Sequence, residues 1–159
     1  MNDLQISQAG EELYQALVAQ RTLAPFTERF DDISIDDAYR ISLKMVDCRV
    51  QAGETIIGKK IGVTSKPVQD MLGVYQPDFG FLTDGMVFSD GADISIADHL
   101  IQPRAEGEIA FRLKSDLVGP GVTEADVLAA TESIMPCFEI VDSRIDDWRI
   151  KIEDTVADN

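Results

Sequence analysis

Positive charge is scarce in this chain of 159 residues. Fourteen lysines and arginines stand against 29 aspartates and glutamates, for a net charge of −15. A surface of that sign repels nucleic acid and anionic membranes, which removes both as partners. It also repels small anions at long range, so an anion-binding site would need a local cation, either Arg/Lys or a metal. Cysteine is nearly absent. Cys48 and Cys137 have no C-x-x-C spacing and no framework around them, so both read as reduced, packed thiols of a cytosolic protein. The single histidine, His99, precedes "LIQPR" with no partner motif and reads as a surface or loop residue. No run is long and apolar enough to cross a membrane. The segment "MNDLQISQAGEELYQ" has neither the basic region nor the apolar core of a signal peptide. Internal repeats and low-complexity tracts are missing as well.

What is present is a globular composition, 45% hydrophobic and 27% charged, at a length that suits one domain of ordinary size. Helical spacing opens the chain, with Leu13, Ala16, Leu17 and Gln20 in "EELYQALVAQ" and a break at Pro25. A second helix is predicted over "SIDDAYRISLKMVDCRVQAG". Ser34 is its N-cap, Asp36 and Asp37 favour its first turn, Ala38, Ile41, Met45 and Cys48 form an apolar stripe, and Gly53 takes the C′ position. The pattern then changes. "ETIIGKKIGVTS" reads as a strand, "TSKPVQDMLGV" as a short helix stopped by Gly73, and "YQPDFGFLTDGMVF" as loop entering a strand. "IQPRAEGEIAFRL" is the longest strand candidate, "GPGVTEADVLAATESI" a turn and a helix capped by Thr123, and "MPCFEIVDSRI" another strand. "GPGVTE" half-matches a dinucleotide loop, but it lacks the third glycine and Pro120 removes a backbone donor, so it reads as a turn. Helices first and strands with short helices afterwards predict an α+β fold.

"RAEGEIAF" places Glu106 and Glu108 on one face of its strand, with Arg104, Ala110 and Arg112. Ala105, Gly107, Ile109, Phe111 and Leu113 take the other face, the usual core face. Two like charges at a strand repeat of roughly 6.6 Å, with an effective dielectric near 20, repel by about 2.5 kcal/mol. A solvated face or the flanking arginines would relieve this, and Glu-x-Glu alone is a weak signal. A divalent cation would relieve it too, because hard oxygen ligands suit Mg²⁺ or Mn²⁺. Glu139 strengthens that reading. It lies among Phe138, Ile140 and Val141, where an unpaired acid is costly to bury, and one shared ion would account for all three glutamates.

"GKKIGVTS" puts two adjacent lysines on opposite faces. Lys59 falls with Ile57, Ile61 and Val63, whereas Lys60 falls with Gly58 and Gly62. Glycine neighbours leave space above Lys60 for a ligand, although close packing or strand twist explains them equally well. Facing a pocket, Lys60 could serve as a general base or acid. Asp78, between Pro77 and Phe79, reads from local chemistry as a turn residue.

"GKKIGVTSKPVQDMLGVYQPDFGFLTD", "IQPRAEGEIAFRL" and "PCFEIVDSRIDDW" through "DTVADN" together resemble the 2-oxopent-4-enoate (2-hydroxypenta-2,4-dienoate) hydratases of aromatic meta-cleavage pathways. These belong to the hydratase/decarboxylase family of the fumarylacetoacetate hydrolase-like superfamily. The resemblance implies a divalent metal, Mg²⁺ or Mn²⁺, held by Glu106, Glu108 and Glu139, with Lys60 and Asp78 as catalytic residues. It implies N-terminal helices over 1–54, followed by the first part of a mixed β-roll over 55–159. Family members continue past "DTVADN", so the roll is expected to be truncated at the C-terminus. The implied activity is that of a hydro-lyase. Water adds to a small anionic dienoate and gives 4-hydroxy-2-oxopentanoate. A cytoplasmic homo-oligomer is implied, with possible association with the pathway decarboxylase. The alternatives are 4-oxalocrotonate decarboxylase of the same family and a non-catalytic partner subunit.

Overall fold

Helix α1 spans Asp3–Val18 in the computed structural model, which describes residues 1–159 apart from the side chain of Leu72. It begins earlier than the apolar spacing predicts, because Asn2 and Gln5 form a reciprocal capping box. Ile6, Ala9, Leu13 and Ala16 are buried along one stripe. Helix α2 is a single turn, Phe26–Arg29, and α3 spans Ile35–Gln51. Ser34 caps α3 as predicted, with Asp37 completing the box, and Ala38, Ile41 and Met45 are buried. Gly10 lets α1 approach α3 closely. A Cβ there would lie 2.6 Å from Lys44 Cβ.

Strand β1, Ile56–Gly62, pairs antiparallel with β2, Asp78–Thr83. Their connection holds α4, Lys66–Leu72, which ends at Gly73 in the left-handed region (φ 69°). A 3₁₀ turn at Asp84–Met86 and the short α5, Ile96–His99, lead onward. Beyond the strands the chain returns through a 3₁₀ turn to α7, Ile152–Ala157, a helix that sequence patterning did not reveal. Leu23 bridges to Ile145 in parallel, and Leu13, Phe26, Ile41, Met45, Ile145 and Val156 share one core. Asp154, fully buried, ties α2 to the start of α7. It accepts hydrogen bonds from Thr27 N (3.1 Å), Thr27 Oγ1 (2.7 Å) and Lys151 N (3.0 Å). These residues, Met1–Gln102 and Ser143–Asn159, form the first of two compact units.

The second unit is Pro103–Asp142. Strand β3, Pro103–Leu113, pairs antiparallel with β4, Thr131–Asp142, and α6, Glu124–Ala130, lies between them in sequence. Thr123 caps α6 with Asp126 as its partner. The helix predicted through "ATESI" stops at Ala130. Thr131 and Ile134 instead enter β4, opposite Leu113 and Phe111, where strand pairing suits their branched side chains. The strand ends at Asp142, so "SRI" lies outside it. The mixture of helix and antiparallel strand is α+β, as the order of the sequence patterns predicts. No helix among the described residues is long and apolar enough to cross a membrane.

Candidate active site

The second unit carries the three glutamates. Glu106 stands directly opposite Glu139 in the register, and Glu108 opposite Cys137. Alternation then puts Glu106, Glu108, Cys137 and Glu139 on one face of the hairpin. One carboxylate oxygen from each glutamate lies within 4.8 Å of the others. Glu106 and Glu108 are exposed and Glu139 is half-buried. Like charges this close repel more than at strand spacing, and three hard oxygen donors converging on one point fit a dication such as Mg²⁺. The cysteine reading needs correction here. Both thiols are free, but Cys137 is exposed on the acidic face and only Cys48 is partly packed. Its directly opposed and next neighbours on that face include Glu108 and Glu139, which leave it open to solvent.

The opposite face of the hairpin carries Ile109, Phe111, Ile134 and Phe138, all exposed within the chain. Arg104 shares the carboxylate face at its near end, opposite Val141.

The first unit carries Lys60 and Asp78. In the β1–β2 register Lys60 faces Gly80 and Gly62 faces Asp78, so lysine, glycines and aspartate share one side of the ribbon. Lys59 points to the other side, with Nζ 5.6 Å and 5.3 Å from the ring centres of Phe79 and Phe81. Asp78 is no turn residue. It opens β2 and is only 5% exposed. Lys60 Nζ lies 3.9 Å from Asp78 Oδ1, close enough for strong attraction and too far for a hydrogen bond. Oδ1 has no hydrogen-bond partner among the described residues.

Sequence reasoning missed the residues that brace this ribbon. Tyr39 of α3 stacks on Phe79, with ring centres 4.6 Å apart. Burial raises the Tyr39 hydroxyl's pKa, a hydrogen bond from the Phe79 backbone opposes that, and the nearby Asp78 charge adds to the rise. Asn159 pairs with the backbone of Phe81 through both ends of its amide, and Ser42 of α3 donates to the same amide oxygen. Arg49 of α3 donates to Glu54 Oε2 (2.9 Å) and Thr83 Oγ1 (3.3 Å), and Thr83 bonds Glu54 in turn. Helix α3 thus fastens β2 at residues 79, 81 and 83, alternate positions that a local pattern cannot link to a helix 34–40 residues earlier. His99 is exposed at the end of α5, edge-on to Phe88 at 5.7 Å, and joins neither group.

The architecture is that of a known enzyme class. Two solved structures of 4-oxalocrotonate decarboxylase from Pseudomonas putida G7 are similar to the chain at 30% identity. One is complexed with magnesium and adipate (TM-score 0.95) and the other with calcium and acetate (TM-score 0.92). Each comparison covers 100% of this chain and 60% of the solved one. No protein-family model matches. Relatives of known function are more specific. A 2-hydroxypent-2,4-dienoate hydratase of Pseudomonas putida is 65% identical over the whole chain, which spans 72% of that relative. A 2-hydroxyhexa-2,4-dienoate hydratase of Comamonas testosteroni is 66% identical, and a 2-keto-4-pentenoate hydratase of Paraburkholderia xenovorans 44%. The chain spans 61% and 59% of their lengths. The chain belongs to the family of 2-hydroxypent-2,4-dienoate (2-keto-4-pentenoate) hydratases.

Proposed function

We propose that the protein is a metal-dependent hydro-lyase that adds water to 2-hydroxypenta-2,4-dienoate and yields 4-hydroxy-2-oxopentanoate. The observation that supports this most is the convergence of Glu106, Glu108 and Glu139, in a chain of this identity to named hydratases. The three carboxylates would hold Mg²⁺ or Mn²⁺. When bound, the ion supplies Lewis-acid polarisation of the substrate's carboxylate and 2-oxygen, and offsets the repulsion between an acidic protein and an anion.

The protein's own residues move the protons. Ketonisation transfers the 2-hydroxyl proton to C5. The oxygen of water then bonds to C4, and a proton is delivered to C3. Lys60 Nζ is the group assigned to these transfers. Asp78 Oδ1, 3.9 Å from Nζ and buried without a hydrogen bond among the described residues, attracts the lysine and is the acceptor beside it. A cytoplasmic homo-oligomer acting in meta-cleavage catabolism of aromatic compounds, with its β-roll beginning at residue 55 and a pathway decarboxylase as partner, completes the reading.

The similarity to decarboxylase structures favours a second reading, loss of CO₂ from 4-oxalocrotonate at the same carboxylates. Turnover of both substrates by the Mg²⁺-loaded protein separates the two. Hydration of the dienoate is expected, and decarboxylation without hydration would overturn the first reading. Metal-dependent melting with neither activity would mark a non-catalytic partner subunit.

A further inference from the structure

Gly62 and Gly80 flank the lysine–aspartate pair, yet neither adopts the left-handed backbone that demands glycine. What each provides is the absence of a Cβ. At Gly80 that atom would lie 2.8 Å from Lys60 Cε and 3.2 Å from its Cγ. At Gly62 it would lie 2.2 Å from Asp78 Oδ1 and 3.4 Å from Lys60 Nζ. The stem of Lys60 therefore lies flat on the backbone of Gly80, and its tip meets Asp78 above Gly62. Side chains normally project away from a strand, so a stem pressed against the opposite strand needs both a bare position and a backbone that stays still.

Asn159 supplies the second requirement. Its Oδ1 accepts from Phe81 N at 2.8 Å and its Nδ2 donates to Phe81 O at 2.9 Å. This amide acts as a one-residue strand on the edge of β2 away from β1, next to Gly80. Ser42 Oγ donates to the same Oδ1 at 3.2 Å and so ties the edge to α3. The Asn159 oxygen would itself lie 3.2 Å from a Cβ at Gly80. Lysine stem and asparagine amide thus close on the bare position together.

We propose that Gly80 and Asn159 are positioning residues for Lys60: the uncovered backbone of Gly80 seats the lysine stem, and the Asn159 amide fixes that backbone so that Nζ is presented at one place beside Asp78. The proposal rests on the reading of Lys60 as the proton-transfer group. A lysine with the right chemistry in the wrong place would still leave substrate binding intact, which sets the test apart from simple loss of fold.

The test compares Gly80→Ala, Asn159→Ala, Gly58→Ala and Lys60→Ala in the Mg²⁺-loaded protein. Gly80→Ala is expected to lower kcat by roughly 10²-fold, the scale of an ångström-sized misplacement. KM is expected to stay within about twofold, because the loss falls on the reacting step. Magnesium affinity by calorimetry should be unchanged, since the glutamates lie on β3 and β4. Gly58→Ala, whose Cβ would meet Leu82 Cδ1 at an ordinary 3.9 Å, is expected to lower kcat much less. If Gly80→Ala and Asn159→Ala both keep the kcat of wild type while Lys60→Ala is inactive, the seat is refuted and the role of Lys60 stands. If Lys60→Ala itself turns over normally, the reading of Lys60 fails and the seat fails with it. A Gly80→Ala chain that does not fold hands the decision to Asn159→Ala. A kcat-selective loss there supports the seat, and wild-type kcat overturns it.

Discussion

The two antiparallel ribbons treat charge in opposite ways. On β1–β2 one face carries a pair of opposite sign, and Lys59 on the other face lies over the rings of Phe79 and Phe81. Lys60 lies by Asp78, and Arg49 braces Glu54 where the ribbon meets α3. On β3–β4 three groups of the same sign point at one another, and the face behind them is apolar and exposed, with Phe138 at 79%. The first ribbon sets opposite charges side by side and is pinned by a helix. The second brings three carboxylates together on one face. On the function proposed above, one ribbon places the proton-transfer group and the other holds the cation.

The largest effect that could break this comparison is on turnover. Lys60→Ala should lower it by about 10²–10⁴-fold, the usual worth of a positioned acid or base, and leave Mg²⁺ affinity intact. Unchanged turnover would remove Lys60 from the chemistry. Next comes the cation. Glu108→Gln should weaken Mg²⁺ binding by about tenfold or more in calorimetry, because affinity follows the number of charged ligands. In the wild type, Mg²⁺ at about 100 times its Kd should add roughly 2.7 kcal/mol of stability, seen as a rise in Tm. Equal affinity in the variant would return the glutamates to a merely solvated face.

A third substitution probes the braced unit. Asp154→Ala would leave Thr27 and Lys151 donors without their buried acceptor, at a cost of about 2 kcal/mol or more by denaturant unfolding. A loss under half of that would show that the core holds α2 and α7 without it. The smallest effect concerns pH. The N-terminal ammonium's hydrogen bond holds the Asp37 carboxyl below its ordinary range; burial opposes this, and Ser34 adds to the lowering. A lowered folded-state pKa contributes stability above the ordinary carboxylate range, and that contribution is lost as pH falls through the lowered value. Asp37→Asn should therefore lower Tm at neutral pH and converge with wild type in strong acid. Parallel Tm curves down to strong acid would contradict it.

How much of this was readable beforehand follows the range of each signal. The shared face of Glu106 and Glu108 needs only the two-residue repeat of a strand, and the glycine side of Lys60 follows from the same parity. Ser34, Thr123 and Gly73 are local caps and stops that act within four residues. The register that sets Glu139 across from Glu106 spans 33 positions; the lone acid among apolar residues and then the resemblance to a family, not periodicity, pointed to it. Asp78 looked like a turn residue because Pro77 precedes it, while its burial comes from pairing with β1. The short α7 was hidden because six residues carry too little periodicity, and Asn159 because its partners are Phe81 and Ser42.

Parity also constrains how this hairpin can change over evolutionary time. The stretch from Lys114 to Thr123 lies between the paired strands and can lengthen or shorten without moving a glutamate. Inside β3 or β4, a single inserted residue turns every side chain beyond it to the other surface. It would send Glu139 to the side of Phe111 and bring an apolar neighbour into its place. Tolerated indels within these strands should come in pairs or be absorbed as bulges, as one already is between Arg112 and Leu113. The carboxylate cluster thus depends on parity within each strand as much as on the residues themselves.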